Sequence, residues 1–299
     1  MPRSKRHHVA LVGPTGSGKS AQAMAIAGAN PEFEIVSADA MCVYRGMDIG
    51  TDKPSPADRA AVPHHLVDIV EPAEDYTVAR FGSDCAAAVR TIEQRGKRAL
   101  LVGGTGLYVR AAVDGLSVPP QFPAVREQLE AEPDTAALYA RLQTLDPDAA
   151  TKMEPSNRRR IVRALEVCVG SGRPFSSYGP GLDTYGPVPF RLVGLWPSRD
   201  ATTARIRARF ERMLAAGFVA EVERLATTTV SRTARQALGY RQLFEHVEAG
   251  RPLEEAVADA VGATVRFARR QRAWFRRDPR IAWFPPDIDL AAVASRQNW

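Results

Sequence analysis

An α/β protein, a parallel sheet flanked by helices with a helical insertion domain, is what three features of the 299-residue sequence predict. Over the first hundred residues short apolar runs alternate with longer amphipathic stretches, the pattern of βαβ units. Gly13-Pro14-Thr15-Gly16-Ser17-Gly18-Lys19-Ser20 matches the signature G-x-x-x-x-G-K-[ST] between a strand and a helix, which makes the sheet P-loop NTPase-like. From about Gly115 the strand pattern stops, and Pro119, Pro120 and Pro123 introduce charged helical segments.

The elements follow in order. Val9 to Val12 reads as a buried strand, Lys19 to Ala27 as a helix and Phe33 to Ser37 as a second strand. Met47 to Asp75 is a long Pro- and Asp-rich connection, Thr77 to Arg95 a helix, and Arg98 to Val102 a strand that ends in Gly103-Gly104. Helices are expected over Val125 to Glu132, Thr135 to Leu145 and Arg158 to Gly170. A return strand is expected over Pro189 to Trp196. Ala201 to Leu225 and Pro252 to Arg277 are read as single helices, and the tail around Pro285-Pro286 as an irregular strap. Residues 1–115 and 189–299 would then form a P-loop catalytic core, and 116–188 the insertion.

Composition sets the outer bounds. Apolar residues make up 45% and charged residues 25%, which excludes wholesale disorder, a collagen and a coiled-coil rod. Cys42, Cys85 and Cys168 lie far apart without metal-site spacing, so a reducing compartment, the cytoplasm, is expected. His64-His65 has no further ligand nearby and is read as no metal site. The basic residues 1–8 lack an apolar signal core, and no apolar stretch approaches the ~18 residues of a membrane span.

The chemistry begins at Gly13–Ser20. Its glycines let the backbone curl so that successive N–H groups face phosphate oxygens, the following helix adds its positive end, and Lys19 adds a full charge. Ser20 can hold a magnesium ion bridging the same phosphates. The loop therefore binds a diphosphate or triphosphate. A P-loop kinase would usually carry a strand ending in Asp; here Arg98 to Val102 runs into glycines. A different acid, Asp39, stands among small and apolar residues in Ser37-Ala-Asp-Ala-Met-Cys-Val-Tyr-Arg-Gly-Met-Asp-Ile-Gly-Thr51. That places it at the carboxyl end of a strand, where open α/β sheets collect ligands.

These stretches resemble the tRNA dimethylallyltransferase (tRNA isopentenyltransferase) family in its bacterial form. That family shows S-A-D-S-M-Q-V-Y-R-G-M-D-I-G-T-x-K-P where this chain reads SADAMCVYRGMDIGTDKP from Ser37 to Pro54. Gly103 to Tyr108, Arg159 to Glu166, Ala237 to Gln242 and Ala268 to Arg277 match as well. The resemblance runs from about residue 8 to 284. It implies transfer of a dimethylallyl group from dimethylallyl diphosphate to N6 of the adenine 3′-adjacent to the anticodon, with the P-loop cradling the diphosphate and Mg2+ on Ser20. Asp39 is implied as general base. Thr15 is implied at the leaving group, and Thr105 at the reacting nucleotide or in transition-state stabilisation. Asp39, Ala40, Met41, Cys42, Thr105, Arg126, Arg159, Arg160, Arg163, Arg241 and Arg269 would contact tRNA. Two departures stand out: Ala40 replaces the family's Ser and Cys42 its Gln, so the amide contact to the target base cannot be made in the same way.

Charge patterning points to the RNA. The total is 40 Lys+Arg against 34 Asp+Glu, a net +6, and the excess is clustered. Arg266, Arg269, Arg270, Arg272, Arg276, Arg277 and Arg280 face a single acid, Asp278, and Arg158-Arg159-Arg160 with Arg163 form a second cluster. Two basic faces suit an anticodon stem-loop gripped from both sides, with the target base leaving its stack. Arg205 and Arg209 could reach the diphosphate or the RNA. An adenylate dimethylallyltransferase on free nucleotide would need neither the insertion nor the arginines. A P-loop nucleotide kinase would need the missing acid, and a non-catalytic RNA binder would not need Asp39 beside a complete P-loop. A monomer is expected, because one chain supplies every part.

Overall fold

The computed structural model describes residues 7–179, 181, 182, 184–297 and 299; of the basic stretch 1–8 read above, residues 1–6 lie outside the described residues. Six strands, β1 (His8–Val12), β2 (Phe33–Ser37), β3 (His64–His65), β4 (Arg98–Gly103), β5 (Phe190–Leu195) and β6 (Ala282–Phe284), form one sheet in the order β3-β2-β4-β1-β5-β6. Every pairing is parallel. The helices in chain order begin with α1 (Lys19–Ala29), α2 (Pro56–Ala61), α3 (Val78–Gln94), α4 (Gly106–Asp114), α5 (Pro123–Ala131), α6 (Thr135–Leu145), α7 (Pro147–Thr151) and α8 (Arg158–Ser171). They continue with α9 (Arg199–Ala215), α10 (Phe218–Ala226), α11 (Arg232–Arg235), α12 (Tyr240–Ala249), α13 (Leu253–Phe275) and α14 (Leu290–Arg296).

The chain divides into two compact units, one ending at Gly115 and resuming at Pro187, the other Leu116–Gly186. In the first, period-two alternation sends successive strand residues to opposite faces. Val9, Leu11, Ile35 and Leu100 pack on one face against Ala23 and Ile26 of α1 and Leu290 and Val293 of α14. Ala10, Val12, Val36 and Leu101 pack on the other with Phe81 of α3, Tyr108 of α4, Ile206 and Phe210 of α9 and Phe275 of α13. Both faces are covered, which is why these strands read as unbroken apolar runs. The second unit has its own core, Leu129, Leu138, Leu142, Ile161, Val162 and Leu165, supplied by α5, α6 and α8.

Several expectations need correction. The connection 47–75 carries α2 and the edge strand β3, too short to show a period, with Ser55 and Asp58 forming a capping box at α2. The helix read over 201–225 is two helices, because Gly217 takes φ 96 and breaks the ladder between α9 and α10. The tail is no irregular strap: β6 pairs with β5, and α14 supplies part of the core under α1. Helices α4 and α12 are further elements: α4 follows Gly103-Gly104 and α12 follows Gly239, breaks that read as loop.

His64 and His65 are paired rather than waiting for metal: His64 Nδ1 bonds Val62 O, and His65 Nε2 bonds Glu34. Burial of Glu34 would raise its pKa, but hydrogen bonds from Arg95, His65 and Lys97 prevail and lower it from 4.5 to about 2. The folded state therefore holds this group's proton less tightly than the unfolded chain. Its contribution to stability is complete above pH 4.5 and is lost as pH falls through about 2. Acid unfolding followed by circular dichroism should show that loss in the wild type. The Glu34→Gln variant should be less stable at neutral pH and lack that part of the slope; an identical slope would refute the assignment.

Candidate active site

The site lies at the carboxyl edge of the sheet, where β1 feeds the phosphate loop and β2 feeds Asp39. Gly16 at φ 76 and Gly18 at φ 88 give the loop its curl, and Gly18 opens α1 from the left-handed region. Lys19 and Ser20 are the first residues of that helix. The Ser17 hydroxyl is buried inside the loop and has no hydrogen-bond partner among the described residues. Desolvation lowers the Lys19 pKa, Asp39 opposes that shift, and Arg209 adds to it.

Asp39 is half-buried and forms a turn of its own. Its Oδ1 accepts from the backbone N–H of Met41 at 2.8 Å and of Cys42 at 3.4 Å. The backbone therefore fixes the carboxylate and leaves the second oxygen for a ligand. Cys42 is buried with its Sγ donating to Thr51 O at 3.8 Å, and burial pushes its thiol well up, so it packs as a neutral thiol. Thr105 caps α4 from an extended backbone without using its side chain, which leaves that hydroxyl for a ligand too.

Helix α9 reaches the loop directly. Arg205 Nη1 donates to Gly16 O and Ser17 O at 3.4 and 3.3 Å, and Arg209 Nη1 donates to Thr15 Oγ1 at 3.2 Å. Both arginines thus belong with the cradle. One expected cradle donor is spent elsewhere: Thr15 N–H donates to Gln271 Oε1 at 2.8 Å. Gln271 sits in an arginine run whose charge pattern gives no sign of this amide contact.

The stretch from Asp39 to Thr51 is held by two groups that motif reading missed. Glu221 of α10, 5% exposed, accepts from the backbone N–H groups of Asp48, Ile49 and Gly50 at 2.8, 2.8 and 3.1 Å and from the Tyr240 hydroxyl at 2.5 Å. Lys53, its side chain 2% exposed, pairs with Asp48 and Asp68 at 2.6 Å each and donates to Tyr44 O. Asp52, in the same stretch, lies 3.6 Å from Arg209. Glu221, inside a stretch that reads as one helix, and Lys53, before Pro54, carry no local pattern that says what they hold.

The expected RNA-facing arginines separate into two kinds. Arg159 and Arg160 on α8 and Arg269 on α13 are exposed, and no carboxylate pairs with them among the described residues. Arg126 lies 2.8 Å from Glu130 and 3.8 Å from Glu166, Arg163 lies 2.8 Å from Glu166, and Arg241 lies 3.6 Å from Asp259. Arg158, from the same cluster, is spent on the carbonyls of Leu129, Glu130 and Glu132.

A phosphate cradle faced by one backbone-fixed carboxylate, on a parallel sheet whose β4 ends in glycine rather than an acid, defines a P-loop-like transferase. The model of the IPP transferase family matches residues 42–278. A tRNA dimethylallyltransferase of Kineococcus radiotolerans is 49% identical over 298 residues, covering 95% of this chain and 93% of its own. One from Pseudarthrobacter chlorophenolicus is 46% identical and covers 96% of both. The crystal structure of the full-length tRNA isopentenylpyrophosphate transferase from Bacillus halodurans superposes with a TM-score of 0.70 at 33% identity, covering 98% of this chain and 94% of that one. The chain belongs to the IPP transferase family, that of the tRNA dimethylallyltransferases.

Proposed function

We propose that the chain transfers a dimethylallyl group from dimethylallyl diphosphate to N6 of the adenine 3′-adjacent to a tRNA anticodon, releasing diphosphate. The observation that carries this reading is Asp39, fixed through one oxygen and open at the other, within electrostatic reach of Lys19 in the cradle. Family membership supports the reaction class, since the relatives bear the name tRNA dimethylallyltransferase.

The bond from the allylic C1 to the diphosphate oxygen breaks as the bond from adenine N6 to C1 forms. The electron pair leaves with the diphosphate, where Lys19, Arg205, Arg209 and the loop N–H groups receive its charge. The N6 proton passes to the free oxygen of Asp39, and Oδ1 stays on the Met41 N–H. Thr15 and Thr105 place their hydroxyls on the cradle side and the nucleotide side of this exchange.

Mg2+ fits the donor set. Among the described residues no group of three His, Cys, Asp or Glu could cage a metal, whereas the Ser20 hydroxyl is exposed in the first turn of α1 beside the cradle. Ser20 would hold the ion through its hydroxyl oxygen, a hard donor of the kind Mg2+ takes, next to the bound diphosphate. Bound there, it would add to the neutralisation of the leaving group.

Arg159, Arg160 and Arg269 supply phosphate contacts for the anticodon stem-loop, and Arg126, Arg163 and Arg241 join by exchanging their carboxylate partners for RNA phosphates. Ala40, Met41 and Cys42 border the base. No helix among the described residues is long and apolar enough to cross a membrane. Three buried free cysteines suit the reducing cytoplasm, and a monomer is proposed because one chain supplies every part of the site.

The test is transfer of labelled dimethylallyl diphosphate, with Mg2+, to unmodified tRNA and to AMP. Label in tRNA and none in AMP is expected. Label in AMP alone would overturn the RNA reading, and ATP turnover without transfer would move the chain to the kinases.

A further inference from the structure

The arginine-rich helix α13 has a second face. Arg266, Arg269 and Arg270 are exposed, while Ala268, Gln271 and Phe275 are buried. Gln271 is the polar residue on that face that reaches the site. Its two amide atoms go to different loops: Oε1 accepts from Thr15 N–H at 2.8 Å, and Nε2 donates to Gly104 O at 2.8 Å. One side chain therefore spans from the phosphate loop after β1 to the loop after β4, and it is 6% exposed.

Two glycines record how closely α13 docks there. A Cβ on Gly104 would stand 2.6 Å from Gln271 Nε2, and a Cβ on Gly106 would stand 2.2 Å from the Trp274 ring. Gln271 and Trp274, one helical turn apart, thus bracket Thr105 from both sides. Thr15 is held at its backbone by Gln271 and at its hydroxyl by Arg209.

We propose that Gln271 is a positioning residue that sets the separation of Thr15 and Thr105 across the site, and does so from the helix that offers its other face to RNA. This rests on the transfer reading above. An amide suits the task because it accepts at one end and donates at the other in a rigid plane; neither a carboxylate nor a thioether does both. Reacting groups misplaced by about 1 Å can cost about a hundredfold in rate, so a spacer of this kind acts on turnover more than on folding.

Gln271→Met keeps the length and loses both bonds, Gln271→Glu keeps the acceptor and loses the donor, and Gly104→Ala drives the amide aside without removing it. Each is expected to lower kcat for tRNA prenylation about a hundredfold and to raise the KM for dimethylallyl diphosphate. The affinity for tRNA should stay within about threefold, because the exposed arginines of α13 are untouched. Joining Gln271→Met to Gly104→Ala should cost little beyond either single change, since both break one linkage. Wild-type kcat and KM in the folded Gln271→Met protein, or full additivity in the double variant, would overturn the proposal. So would a fall in thermal stability with kcat per folded molecule unchanged. If Gln271→Met does not fold, Gly104→Ala alone decides by the same kcat and KM. A wild type that fails to prenylate tRNA refutes the transfer reading instead, so the two failures are distinct.

Discussion

Asp39→Asn is expected to slow single-turnover transfer to tRNA about a thousandfold, the middle of the range for removing a positioned general base. Asparagine is the informative substitution because its Oδ1 can still accept from Met41 N–H, so the turn that shapes the residues after β2 is kept. What is lost is the second oxygen's capacity to take the N6 proton. Dimethylallyl diphosphate should bind at least as well as in the wild type, because the carboxylate sits near an anion site and its removal reduces repulsion. A variant within about threefold of the wild-type rate would remove Asp39 from the chemistry.

The largest effect on stability is expected at Glu221. Three backbone N–H groups and the Tyr240 hydroxyl end on this one carboxylate, and burial and the carboxylate both push the Tyr240 pKa up, which keeps the phenol a donor. Glu221→Ala strands these donors, the Tyr240 hydroxyl in a buried position and the three N–H groups in part-buried ones, at ~1–3 kcal/mol for each that finds no new partner. A total of about 4 kcal/mol, and a fall in melting temperature of about 10 °C, is the expected result. Glu221→Gln retains acceptor oxygen for part of the set and should lose about half as much. Because the stranded groups are those of residues 48–50, activity at low temperature should fall with stability. A melting temperature within about 2 °C of wild type in Glu221→Ala would show that the stretch is held by other means.

The site was unevenly legible. The cradle residues Gly13 to Ser20 could be read directly, because positive-φ glycines, a lysine and a hydroxyl at the start of a helix form a contiguous device whose parts need only chain neighbours. Asp39 was legible for a similar reason: it closes β2, and its anchoring partners are two and three residues on. Gln271, Glu221 and Lys53 were not. Gln271 reaches Thr15 across 256 positions and Glu221 reaches Asp48 across 173, and the identity of either residue is compatible with an exposed helix face. Lys53 lies within 15 positions of both its carboxylates, yet only the fold of 47–75 shows that its ammonium is enclosed.

The same division runs through the fold. Sequence by itself determined the four longer strands, the cradle, its carboxylate and the family, since apolar runs, glycine turns and a contiguous motif are properties of neighbours along the chain. Tertiary structure decided the rest. The edge strands β3 and β6, two and three residues long, exist only because β2 and β5 offer them open edges. Which arginines pair with acids, and which face solvent, depends on carboxylates brought up from other helices. The amide of Gln271 joins two loops only once α13 is packed in place, for hydrogen bonds between residues remote in sequence depend on packing that no local pattern encodes.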